Sequence, residues 1–201
     1  YLVEQGTAPA NILSITFTNK AANEMKERLG EFLDLRGMWV STFHAMCSRI
    51  LRSEIEQMGF TRNFSIYDTA DQSKCVKAVM NELNLDTTNW RPSAVAASIS
   101  NAKNELLSVE EFSKYKSGYY NDVVSKVYTK YQKYLEANNA LDFDDLLFTI
   151  VHLFRNFPEV LEKYQDKFRY ILIDEYQDTN HAQYTITQLL AQRYGNICAT
   201  G

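Results

Sequence analysis

Along the first 60 positions, short runs rich in apolar and β-branched residues alternate with stretches whose apolar residues recur every three or four places, which predicts strands feeding helices. The run at 11–17 reads as a buried strand. Thr18 then stands where a helix cap belongs, before an inward stripe of Ala22, Met25, Leu29, Phe32 and Leu33. A second strand at 38–43 precedes a helix with Met46, Ile50, Leu51, Ile55 and Met58 inward and Gly59 as its stop. Positions 1–6 read as the tail of a helix ending at Gly6.

From about 70 to 140 the strand signal is absent. Asp68 or Thr69 caps a helix carrying Val76, Val79, Met80 and Leu83, and Pro92 opens one with Val95, Ile99, Ala102 and Leu106. Ser108-Val-Glu-Glu111 has the form of a capping box, and 119–138 is the longest helix, with Val124, Val127, Tyr128, Tyr131 and Leu135 on one stripe. A helix at 142–157 and another begun by Pro158 lead to a strand at 170, a helix over 180–194 and a last strand over 196–200. This pattern predicts an α/β fold in which an all-helical insertion, 70–140, interrupts a parallel-sheet domain made from 1–69 and 141–201.

Composition narrows the class. The 7 glycines and 3 prolines among 201 residues favour long regular elements, and that length suffices for a real core. A net charge of −4 excludes coating of nucleic acid by bulk electrostatics but not a local groove for phosphates. Cys47, Cys75 and Cys198 are too widely spaced for a zinc set and read as reduced core thiols of a cytoplasmic protein. Nothing approaches the ~20 apolar residues of a membrane span. The Tyr and Lys residues over 115–134 resemble a basic-aromatic stripe, but helical spacing favours buried rings and a solvated lysine face.

The chemistry lies in Tyr170-Ile-Leu-Ile-Asp-Glu-Tyr-Gln-Asp-Thr-Asn180. Four apolar residues in a row suit an inner strand covered on both faces, and Asp174 and Glu175 emerge at its carboxyl end, where open α/β sheets bind ligands. One carboxylate there suits Mg²⁺ held through its water shell, and the next suits activation of a water for phosphoryl transfer. A solvated acidic turn after a core strand is the competing reading.

Asp174-Glu-Tyr-Gln-Asp-Thr-Asn180 resembles the Walker B element, motif II, of superfamily 1 DNA helicases of the UvrD/Rep/PcrA family. Thr16-Phe-Thr-Asn-Lys-Ala-Ala22, with Glu24, Met25 and Arg28, resembles motif Ia, and Ser41-Thr-Phe-His44 resembles motif Ib. Leu141-Asp-Phe-Asp-Asp-Leu-Leu147 is similar to the family segment before the Walker B strand, so the resemblance spans 12–201.

The resemblance implies a RecA-like P-loop NTPase domain, ATP and Mg as cofactors, and single-stranded and duplex DNA as partners. It implies that Asp174 binds Mg²⁺, that Glu175 is the catalytic base, and that Gln177 sits near the terminal phosphate and links hydrolysis to movement. It makes Phe17, Thr18 and Asn19 candidates for base stacking and phosphate contact, with Thr42 and His44 near the DNA backbone and Phe143 against a base. Four of them have plainer readings: strand core for Phe17, a helix-start hydrogen bonder for Gln177, a helix-capping or core residue for His44, and a hydrophobic anchor for Phe143.

No GxxxxGK[ST] loop occurs in these residues, so the phosphate cradle is absent, as are the core of motif III and a second RecA-like domain. The expectation is therefore an internal piece of a 3′-to-5′ helicase, inactive by itself and completed by the rest of the helicase chain. Its missing strand would leave a sheet edge open to dimerisation. A helicase-nuclease subunit of the RecB or AddA type and a non-catalytic scaffold module remain as rivals.

Overall fold

The computed structural model describes all 201 residues, Tyr1–Gly201, in two compact units. One comprises Tyr1–Leu51 with Ile150–Gly201, and the other is Arg52–Thr149. The α/β class expected from the sequence is present, with parallel sheets only.

The first unit is built on a four-stranded parallel sheet. Its strands are β1 (Ile12–Thr16), β2 (Trp39–Thr42), β5 (Tyr170–Ile173) and β6 (Ile197–Ala199), in the order β2-β1-β5-β6. Register pairs Leu13 with Trp39 on one side and with Ile171 on the other. All five residues of β1 are buried, as a central parallel strand requires. Helices α1 (Asn19–Gly30) and α2 (Phe43–Glu54) follow β1 and β2 directly, and α8 (Pro158–Lys167) and α9 (His181–Ala191) flank β5.

The second unit is mostly helical. Helices α3 (Thr69–Glu82), α4 (Pro92–Asn104), α5 (Val109–Tyr115) and α6 (Tyr119–Ala137) enclose a core that includes Val76, Val95, Ile99, Val127 and Leu135. Two short parallel strands, β3 (Ser65–Tyr67) and β4 (Ala140–Asp142), close it. Helix α7 (Phe143–Asn156) starts in this unit and ends in the other.

Several local expectations change. Residues at 1–6 form turns, not a helix tail, and Gly6 at φ +90° closes the last turn. Phe32 is 81% exposed: α1 stops at Gly30, so the helical phase no longer carries position 32 inward. Asp142 belongs to β4, because its backbone pairs with Tyr67, and the helix begins one residue later. Tyr170 and Leu172 are only half-buried, so β5 is tightly covered on one face. Cys47 and Cys75 are core thiols, but Cys198 is exposed on edge strand β6, none of whose residues is covered. Tyr128 and Tyr131 are buried, whereas Lys116, Lys126 and Lys133 face water, as amphipathic spacing predicts.

Candidate nucleotide and nucleic-acid sites

Parallel pairing of β1, β2 and β5 turns their three carboxyl ends to one edge of the sheet. At the end of β5 the Asp174 amide still donates to the Ile15 carbonyl at 3.0 Å, so Asp174 is held in strand register. The Thr200 hydroxyl donates to Asp174 Oδ1 at 2.9 Å, and Oδ2 is left without a protein donor. Glu175 breaks the strand with φ +53° and ψ 43°, a left-handed conformation uncommon for a residue with a Cβ. That turn leaves Glu175 exposed, with its Oε2 accepting from the Gln177 carboxamide. Gly201 lies against the same carboxamide so closely that a Cβ would overlap it.

The rest of this string is a turn with its own hydrogen-bond logic. Thr179 Oγ1 donates to the Tyr176 carbonyl at 2.8 Å, and Asn180 caps α9 in a capping box with Gln183, both bonds 2.9 Å. Asp174, Glu175 and Gln177, with Asp178 one residue further on, are thus the members of the motif whose polar side chains remain accessible after the strand end.

At the end of β1, Phe17 is half-buried with its ring 5.6 Å from that of Phe43. Thr18 caps α1 by accepting from the Ala21 amide at 3.1 Å, and Asn19 is exposed as the first helical residue. At the end of β2, Thr42 is buried, and its hydroxyl accepts from the Ala45 amide at 3.3 Å. His44 is half-buried in the first turn of α2. Eight of the nine predicted site residues therefore share one sheet edge. The ninth, Phe143, belongs to the other unit, where it opens α7 at 51% exposure and lines a cavity of about 390 Å³ with Tyr67, Asp68, Thr69, Gln72 and Asp144.

The donor set at Asp174 fits one kind of metal binding. No group of three or more metal-ligating side chains exists in the chain, so a cation held by protein ligands alone does not fit. Mg²⁺ held through one carboxylate, its waters and substrate phosphates does fit, since such sites use one or two carboxylates.

Residues 1–201 match, over the whole chain, the family described as UvrD/REP helicase N-terminal domain. The chain belongs to the UvrD/Rep helicase family. Its parallel sheet is that of a RecA-like domain. It is 54% identical over 202 residues to the protein named ATP-dependent DNA helicase PcrA of Bacillus subtilis (strain 168), covering 100% of this chain and 27% of that protein. The proteins of that name from Staphylococcus aureus (strain Mu50 / ATCC 700699) and Staphylococcus epidermidis (strain ATCC 35984) are 48% and 47% identical, again over the whole chain and 28% of each relative. The chain thus spans just over a quarter of the length of these relatives.

One constellation in this UvrD/Rep segment escaped the sequence reading. Lys103, fully buried, places Nζ 2.8 Å from Asp142 Oδ2 and 2.8 Å from Asp145 Oδ1. Tyr131 donates to Asp142 Oδ2 at 2.8 Å, and Gln132 to Asp145 Oδ1 at 3.2 Å. Burial and the charge of Asp142 push the Asp145 carboxyl up to about 7. Burial also opposes ionisation of Asp142, but Lys103 outweighs it and holds this carboxyl below the usual range. Burial works against the Lys103 ammonium too, and the two carboxylates more than compensate. The signal was present in the spacing. Lys103 stands four residues after Ile99 and three before Leu106, on the inward stripe of α4.

Proposed function

We propose that this chain is the part of an ATP-dependent DNA helicase that carries the Walker B carboxylates and a stretch of the single-strand path. The observation that carries the reading is the convergence of β1, β2 and β5, which brings Asp174, Glu175 and Gln177 to the edge that also bears Phe17, Thr18, Asn19, Thr42 and His44. The relatives' printed name, ATP-dependent DNA helicase, supports the same activity for the full-length parent. Segments 1–69 and 141–201 are assigned to the RecA-like domain and 70–140 to a helical insertion.

In this reading Asp174 would hold Mg²⁺ through its unbonded Oδ2 and intervening waters, and the ion would supply neutralisation of phosphate charge when ATP is bound. The bond from Thr200 fixes the Asp174 carboxylate, so the free oxygen has one orientation. Glu175, lifted off the strand by its left-handed turn, accepts the proton of the attacking water, and Gln177 bridges that carboxylate to the terminal phosphate. Phe17 offers a ring for sequence-independent base stacking, and Asn19 offers a helix start to phosphate. Thr42 and His44 contact the backbone, and Phe143 contacts a base. Movement is 3′ to 5′ along single-stranded DNA, with duplex unwinding ahead. The 201-residue chain carries no phosphate-cradling loop, so by itself it turns over no ATP.

The test is Glu175→Gln in the full-length parent. Nucleotide binding is retained while single-strand-stimulated hydrolysis falls by about 10²-fold or more, within the range for loss of a general base. Unchanged turnover removes Glu175 from the base role. Robust hydrolysis by the isolated 201-residue chain refutes the reading of the chain as inactive alone.

A further inference from the structure

The residues around Phe143 are anchored far more firmly than an exposed aromatic needs for its own sake. Asp142 and Asp145 hold the first turn of α7 reciprocally: the Asp142 amide donates to Asp145 Oδ2 at 3.0 Å, and the Asp145 amide donates to Asp142 Oδ1 at 2.8 Å. Lys103 of α4 ties the remaining oxygen of each carboxylate, both at 2.8 Å. Tyr131 of α6 and Gln72 of α3 add bonds to Asp142 Oδ2 at 2.8 and 3.1 Å, and Asn104 of α4 reaches Asp144 Oδ1 at 3.0 Å. Three helices thus grip positions 142, 144 and 145, while the side chain between them projects into the open cavity.

Lys103 has 0% of its surface exposed, so it touches no DNA. It is also the one cation facing two buried carboxylates, and without it they repel each other across the turn that presents Phe143. We propose that Lys103 is a positioning residue for DNA binding: through Asp142 and Asp145 it locks the first turn of α7 and pre-sets the Phe143 ring for stacking on a base. The inference rests on the reading above that Phe143 contacts a base. An aromatic held in place before the encounter loses little freedom on binding, whereas a loosened one must be ordered at the expense of affinity.

The experiment uses the full-length helicase and oligothymidylate strands carrying a single 2-aminopurine at successive positions. The dissociation constant is read together with 2-aminopurine fluorescence at saturating protein, which reports stacking per bound complex. Phe143→Ala is expected to weaken binding and abolish quenching at one position. Lys103→Met is expected to weaken binding about 3- to 10-fold and lose the same quench at saturation, with the double variant no weaker than Phe143→Ala. A merely structural role lowers the folded fraction but leaves the quench per complex unchanged. Quenching retained in folded Lys103→Met overturns the positioning role. If that variant does not fold, the double variant Lys103→Met/Asp145→Asn, which removes the cation together with one of the two carboxylate charges it neutralises, takes its place, and unchanged quenching there overturns the positioning role equally. If Phe143→Ala alters neither readout, the base contact itself fails and the positioning role falls with it.

Discussion

Replacing Lys103 by Met removes the sole cation facing two carboxylates that are each 1% exposed, and leaves a hydrophobic stem of similar length. Breaking a buried pair from one side costs about 3–5 kcal/mol, because the remaining charge is left uncompensated in a low dielectric. Here two carboxylates are left, so the upper half of that range applies at high pH. Against a typical domain stability of about 5–15 kcal/mol, the loss is a large fraction of the whole. The helical unit can be followed alone, because of the 2 tryptophans Trp90 belongs to it and Trp39 to the sheet unit. Urea unfolding of Trp39→Phe chains, with and without Lys103→Met, is read by Trp90 fluorescence.

The dependence on pH is specific. Asp145 is held up near 7, above its ordinary value, so the stability linked to its proton is complete below about pH 4 and is lost as pH rises through 7. Asp142 is held low, so its contribution is present above about pH 4 and is lost on further acidification. Without Lys103 both carboxyls are driven upward and take up protons, so the deficit relative to the parent chain is greatest above pH 7 and shrinks towards pH 4. Asp144, Tyr128 and Tyr131 surround the pair without supplying positive charge. A loss below about 1 kcal/mol at pH 8, or a deficit that does not change with pH, refutes the reasoning.

Thr18→Ala removes the cap of α1 and should cost about 1 kcal/mol in the urea transition of the sheet unit, read through Trp39; no shift would show that the bond from Ala21 is matched by water. Phe17→Ala in the full-length parent should weaken single-strand affinity by about 1–3 kcal/mol, and retention of affinity assigns the ring to packing against Phe43. A thiol reagent should titrate Cys198 at once and leave Cys47 and Cys75 until unfolding, since burial raises Cys75 to about 11 and Cys47 further; a second fast thiol would contradict that burial.

The strand-to-helix units were legible because each depends on local chemistry: Thr18 and Asn180 as caps, Gly59 at φ +86° as a stop, apolar spacing of two or three to four between them. The Asp174-Glu175 pair was legible for the same reason, since a carboxylate after an apolar run marks a strand end. Phe32 was misjudged because its burial depended on where α1 stops, and Cys198 because its exposure depended on the place of β6 in the sheet order.

The sequence alone determined most of the elements, the class and the placing of two adjacent carboxylates at the end of β5, because side-chain periodicity, capping and motif residues act over a few positions. Tertiary structure decided which strand ends are neighbours: positions 16, 42 and 173 become adjacent only through parallel pairing. It also decided that a lysine at 103 meets aspartates at 142 and 145. The inward spacing of Lys103 on α4 marks its burial, but nothing local names its partners, 39 and 42 residues away, which the tertiary packing brings to it.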